Sequence, residues 1–356
     1  MSDRRTTRRH FLAEGTAVGV AALAAVQPRP AGANDSVSSR LVQVEHAGAT
    51  TSKTKVDEAV VGAMIDAALC AYAKTDSAIE ALSKFYEPAQ NIAIKVNTLG
   101  SPYSSVNPEV AFHLAQRFLD MGVPRANIRI FDQYITRMKK GRYALRRNDK
   151  RVWVTNHLGR SKEVQVYPHG KRPVQFHWDK MIVWADAVVN VCIPKDHDLT
   201  GVTGALKNMA MGVVKPTAKY DANKKNPGHY TIVPRFHSNH CDPAIPWLYS
   251  QDMVHKKVKL IVADALRVLY HGGPQDKARY RLRKNQIWVA EDPVAVDRTI
   301  HTLINSIRKD KGLEPVENDL FRGKTRLPHY IATAANEYGL GVDDPQRILI
   351  EHTRLV

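Results

Sequence analysis

Five short apolar runs, each closing on a charged or polar residue, constrain this chain more than any other feature. They read NIAIKVN (91–97), IRIFD (128–132), VVNVCIPK (188–195), VKLIVAD (258–264) and QIWVAED (286–292). Runs this short, apolar at nearly every position and rich in β-branched residues, read as strands covered on both faces. Helical spacing fills the gaps between them. It runs from Val56 to Lys74, through NPEVAFHLAQRFLDMG with Asn107 as cap and Gly122 as stop, and through PVAVDRTIHTLINSI from Pro293. Such alternation predicts an α/β fold, a mostly parallel sheet with helices on both faces. Shorter alternating runs around 150–178 (VWVTN, EVQVY, VQFHW) predict a small antiparallel insertion.

In a parallel sheet all carboxyl ends lie along one edge, and ligands bind in the crevice there. The five runs end at Lys95 and Asn97, Asp132, Lys195, Asp264 and Asp292. If the strands are neighbours, two lysines and three aspartates meet on one rim. That mixture is suited to holding a metal, clasping an anion or shifting pKa values. The plainer reading of each aspartate is a cap on the next helix, and Asp292 before Pro293 has that form.

The segment KDHDLTGVTGALKNMAMG (195–212) is the densest in chemistry. Placed on a helix from Thr200 to Val214, it puts Val202, Leu206, Met209 and Val213 on a packing face. Thr200, Thr203 and Lys207 make a polar face. Gly201, Gly204, Ala205, Asn208 and Gly212 make a third face almost without side chains. A helical glycine costs about 1 kcal/mol relative to alanine, so that face implies close approach by a backbone or a ligand. On this reading Lys195, His197 and Lys207 are the catalytic candidates, with His197 the proton-transfer group. Lys95, Asn97, Thr200, Thr203, Asn208 and Gly212 are the ligand contacts. Asp132, Asp264 and Asp292 would hold a cation, such as a divalent metal, or orient the lysines. His237 and His240, at i, i+3 in HSNHCDPAIPW, are further metal candidates. His229 and His271 sit in glycine-marked turns and are candidates for the same cleft. A structural role for each histidine, and snorkelling for Lys207, stay open.

Together PKDHDLTGVTGALKNMAMG and EDPVAVD resemble the family catalogued as domain of unknown function 362, over about residues 90–305. The resemblance places Lys195, His197, Thr203, Lys207, Asn208, Gly212, Asp292, Pro293 and Asp297 on the family's motif positions. Members are often iron–sulfur-associated through an appended ferredoxin-like cysteine motif. This chain departs from that pattern. Its three cysteines, Cys70, Cys192 and Cys241, form no C-x-x-C, and an intrinsic iron–sulfur cluster is not expected. The family brings no agreed reaction.

Residues 1–33 combine SDRRTTRRHFLAEG, an apolar TAVGVAALAAV and a small-residue end, which reads as a twin-arginine signal peptide around Arg8-Arg9. The expected organisation is that leader, a linker at 34–54 with one strand at RLVQVEH, and a single α/β domain at 55–356. The twin-arginine translocase would deliver the folded chain to the periplasm or another extracytoplasmic space. No run approaches twenty apolar residues, so no permanent membrane span is expected. The formal net charge is +17, three of it in the leader. It favours anionic ligands or acidic surfaces, and nucleic acid is a poor partner for an exported chain. The run RMKKGRYALRRNDKR (137–151) is a solvated loop or a docking patch for an acidic redox partner protein. Two functions follow. One is an enzyme-like binder of a small anionic ligand or a metal or redox cofactor at the sheet edge. The other is a non-catalytic accessory to a redox enzyme.

Overall fold

The computed structural model describes residues 38–145, 152–156, 159–168, 173–217, 234–320 and 323–356. The predicted leader, His229 and the end of the basic run lie outside the described residues. The chain begins with β1 (Ser39–Glu45) and two helices, α1 (Glu58–Ala73) and α2 (Ala78–Ser83). Then come β2 (Ile92–Lys95), α3 (Pro108–Asp120), β3 (Ile128–Asp132), α4 (Ile135–Lys140) and β4 (Trp153–Asn156). A small excursion follows: β5 (Gln165–Tyr167), β6 (Val174–Trp178) and α5 (Lys180–Trp184). The central segment is β7 (Ala187–Cys192), β8 (Lys195–His197), β9 (Gly201–Thr203), α6 (Ala205–Ala210) and β10 (Val214–Pro216). The chain closes with α7 (Ala244–Ser250), α8 (Asp252–His255), β11 (Val258–Leu269), β12 (Arg281–Ala290), α9 (Pro293–Asp310), α10 (His329–Asn336) and β13 (Ile348–Arg354).

The main sheet runs in the order β13-β1-β12-β11-β7-β2-β3-β4. Every neighbouring pair from β11 to β4 is parallel, as is β1 with β13. The fold is the predicted α/β class. β12 alone is antiparallel to its neighbours β1 and β11. Alternation along each strand sends side chains to two cores. Ile92, Ile94, Ile128, Ile130 and Val262 pack with Met64 and Ile65 of α1 and with Leu114 and Phe118 of α3. Ala93, Phe131, Ile261 and Ala263 pack with Leu206 and Met209 of α6, Leu248 of α7 and Ile300 of α9. Each fully buried side chain of Phe118's size contributes about 1.5–3 kcal/mol, so both faces are firmly held.

The strand expected at RLVQVEH is β1, hydrogen-bonded on both sides, to β12 and to β13. Two expectations need correcting here. VWVTN is not part of the antiparallel insertion but the edge strand β4, parallel to β3. EVQVY and VQFHW do form a small antiparallel sheet, joined by β10. Finally, 200–214 is not one helix. Residues 201–203 form β9, antiparallel to β8, and the helix begins only at Ala205. Glycines at 201 and 204 break the helix, so they cannot line its face.

Candidate functional site

The parallel core brings the ends of β2, β3 and β7 together at one edge, and α6 lies across them. Lys95, at the end of β2, points to the α6 side. Its ammonium donates to the Val96 carbonyl, Asp132 Oδ1 and Asn208 Oδ1, each at 2.8 Å. Asp132, ending β3, accepts also from the Gln133 N–H at 2.7 Å and from the Thr98 N–H and hydroxyl on its other oxygen. Burial opposes the Asp132 charge, but Lys95 and the Thr98 donors outweigh it and hold the carboxyl below its ordinary value. Asn208 ties α6 to the sheet by donating to Asn190 Oδ1 at 2.7 Å and the Val191 carbonyl at 3.1 Å.

Gly212 closes over this pair. A Cβ there would sit 2.8 Å from both Lys95 Cε and Nζ, and an ammonium with three partners has nowhere to yield. Gly212→Ala is therefore expected to cost about 1–3 kcal/mol as overpacking, measured by urea unfolding.

Lys195 and His197 lie on β8 beside this centre. The Lys195 ammonium is wholly buried and donates to Asn97 Oδ1 at 3.2 Å, to the Ser104 carbonyl at 3.3 Å and to the Leu99 carbonyl. Burial pushes its pKa down to about 7, with Asp132 opposing and Arg137 adding to the shift. All three donors are committed to the 97–104 loop, so Lys195 positions that loop rather than facing a ligand. At His197, Nδ1 accepts from the Leu199 N–H at 3.1 Å and the Thr200 N–H at 3.4 Å. Burial, then the Lys207 ammonium, hold the ring well below its usual pKa, although the Asp198 carboxylate lies 3.3 Å from Nδ1. The neutral ring thus carries its proton on Nε2. In that state the ring, which lines the cavity described next, is a hydrogen-bond donor through Nε2.

Above these groups opens a cavity of about 270 Å³, lined by Lys95, Asn97, Asp132, His197, Thr203, Lys207, Asn208 and Gly212. Its other walls include Gln133, Tyr134 and Arg137 after β3, Met211, Phe236 and His237. Lys207 is nearly buried and has the Cys241 thiol, 3.5 Å from Nζ, as its partner. Burial raises the Cys241 pKa although Lys207 pulls it down, so the thiol offers little countercharge. Arg137 Nη1 is buried and lacks a hydrogen-bond partner among the described residues.

The family model for the domain of unknown function DUF362 matches residues 92–302. The chain belongs to the DUF362 family. No curated protein matches it. Among solved structures it is similar to the lactate racemase apoprotein from Thermoanaerobacterium thermosaccharolyticum, at 13% identity and a TM-score of 0.34. That likeness covers 70% of this chain and 54% of the other, so the chain spans about half of that protein's length.

The DUF362 motif positions now acquire places. Lys195, His197, Thr203, Lys207, Asn208 and Gly212 surround the cavity or brace it. Asp292 and Pro293 do not. Because β12 is antiparallel, its carboxyl end lies at the opposite edge of the sheet. There Asp292 caps α9, accepting from the Val294 and Ala295 N–H groups and from Val342 N–H at 2.8 Å. Asp297, carried on α9, reaches the other end of the motif. Its Oδ1 accepts from the Ala205 N–H at 2.5 Å and caps α6. Gly204 permits this approach, since a Cβ there would lie 2.3 Å from that oxygen.

The remaining metal candidates also separate. Asp264 lies within β11 rather than at its end, on the α1–α3 side of the sheet. It accepts from the Asn107 N–H and Nδ2 at 2.7 and 2.8 Å and so anchors the start of α3. Asp132 is committed to Lys95. His237 reaches the cavity, whereas His240 Nδ1 lies 2.9 Å from the Leu199 carbonyl. The two histidines belong to separate short 3-10 turns, not one helical face. Among the described residues no group of three His, Cys, Asp or Glu side chains is placed to hold a metal. Cys70, Cys192 and Cys241 are likewise free and dispersed. Thr200 turns inward, its hydroxyl donating to the Val202 carbonyl at 2.8 Å. His271 lies away from the cavity, beside Arg308 at 2.9 Å. Sequence reading missed Gln133 and placed Arg137 in a basic loop or docking run rather than in the cavity; for Gln133 the place after a strand end was the only signal.

Proposed function

We propose that the protein binds a small organic anion in this cavity, with Lys207, Arg137 and the His197 Nε2–H receiving its charge. One observation carries the reading: a buried ammonium, Lys207, faces the cavity with a neutral thiol as its partner among the described residues. A charged donor left without a proper acceptor costs more than the 1–3 kcal/mol of a neutral one, and an incoming carboxylate removes that cost. Met211 and Phe236 supply an apolar wall for the rest of such a ligand. The buried Lys95–Asp132 pair has no donor or acceptor to spare, so it shapes the floor rather than moving protons. With the twin-arginine leader read in residues 1–33, we place this receptor outside the cytoplasm.

Calorimetric titration with acetate, succinate and benzoate at constant ionic strength tests the proposal. At least one should bind saturably. Lys207→Met should weaken it by at least about tenfold, the loss of one charge-assisted hydrogen bond. Unchanged affinity in that variant, or no saturable carboxylate binding, would defeat the assignment.

A further inference from the structure

Past the ends of β1 and β7, β11 and β12 continue as a paired ribbon whose ladder is interrupted once. Ala265 faces Gln286, but the next pair is Arg267 with Arg283, leaving Leu266 on one strand and Lys284 and Asn285 on the other outside the pairing. Asn285 adopts a left-handed φ of 54° at this bulge. A bulge re-aims the side chains beyond it. Strict alternation would send Arg267 to the face opposite Asp264. Instead Arg267 Nη1 donates to Asn107 Oδ1 at 3.2 Å, on the same residue that holds Asp264.

The outcome is a pair of arginines directly across two strands, an arrangement that destabilises a sheet. Arg281, two residues along β12, shares the face of Arg283. These three and Lys53 line a cavity of about 220 Å³ whose other walls are Ala278 and Leu282, with no acid. Arg267 is 3% exposed. Its terminal nitrogens bond Asn107 and the Ser52 and Lys55 carbonyls, but Nε is buried without a partner among the described residues. Asp276 offsets one of the charges, with Oδ1 3.0 Å from Arg281 Nε. Burial lowers the Arg267 pKa, Asp264 opposes this, and Arg281 and Arg283 add to it. Stability alone would favour replacing one of these arginines.

We infer that this cavity is a second anion site, built for a phosphate group, either free phosphate or a small phosphomonoester. Guanidinium forks match tetrahedral oxyanions, and four cations around one cavity suit a dianion. The cavity is several times the ~30 Å³ share of a water molecule, so it has room for a phosphoryl group with a small alcohol attached. It involves none of the residues assigned to carboxylate binding.

The test uses the full chain at constant ionic strength, with inorganic phosphate and glycerol 3-phosphate as probes and chloride as the control. Phosphate should bind saturably and raise the thermal midpoint, and Arg283→Gln should weaken it by at least about tenfold. The same substitution should raise the midpoint of the ligand-free protein by relieving the cross-strand repulsion. Lys207→Met should leave phosphate affinity intact, and Arg283→Gln should leave carboxylate affinity intact, which separates the two sites. Tighter binding of glycerol 3-phosphate identifies a phosphomonoester ligand; equal or weaker binding identifies free phosphate. Three results would overturn the inference: no saturable binding beyond the chloride control, full affinity in Arg283→Gln, or a lower ligand-free midpoint in that variant.

Discussion

Asp132→Asn is expected to destabilise the protein by about 3–5 kcal/mol, the range for removing one partner of a buried ion pair. Every group around Asp132 is a donor: Lys95 and the Gln133 N–H on one oxygen, the Thr98 N–H and hydroxyl on the other. An amide must place its NH₂ against one of those sets, and Lys95 becomes a buried charge without a counterion. Urea unfolding of Asp132→Asn, Lys95→Met and the double variant measures the coupling directly. The double variant should recover part of the loss, since it buries no unpaired charge. Additive losses would show that the pair is not coupled and that the floor of the cavity is held by other contacts.

The convergence of Lys95, Asp132 and Lys195 was legible in the sequence because it depends only on parallel neighbours with polar ends. The errors came from features that composition and spacing do not encode. Strand direction is one. Nothing local to QIWVAED says that β12 runs against β11, yet that reversal carries Asp292 to the far edge. Strand length is another. Asp264 looked like an ending because ALRVL was not recognised as more strand, and its parity then turned it towards Asn107. In the 200–214 segment the apolar spacing was read correctly for Leu206, Met209 and Val213, which are buried together. The helical period was nevertheless extended over two glycines whose backbones do other work. His197 was read as the proton-transfer group by residue type alone. Which ring nitrogen is occupied depends on two backbone N–H groups that no motif displays. The charge balance hinted at anions but not where they would bind, because Arg137, Arg267 and Arg283 are distant in sequence from the motif.

Between about pH 4 and pH 7 the wild-type protein should become progressively less stable relative to Asp297→Asn as pH rises. Burial pushes the Asp297 carboxyl up to about 7, against the Tyr330 hydroxyl and the Ala205 and Leu206 N–H groups. In this window the unfolded chain has released the proton while the native chain retains it, so the native state binds more protons and stability falls with pH. The contribution is fully present below about pH 4 and fully lost above about pH 7. Roughly three pKa units at 1.36 kcal/mol each is on the order of 4 kcal/mol. Asparagine fits the site as a neutral replacement. Its carbonyl accepts from the Ala205 N–H, and its NH₂ donates to the Tyr330 oxygen, which lies 3.0 Å from Asp297 and 3.3 Å from the Val202 carbonyl that can take the hydroxyl proton. Urea unfolding of both proteins at pH 4.5, 6.0 and 7.5 should show the difference shift in favour of the variant as pH rises. A constant difference would mean that the start of α6 stabilises the ionised carboxylate strongly enough to offset burial. Asp297 would then hold Lys207 and Asn208 in place as an anion rather than as a neutral acid.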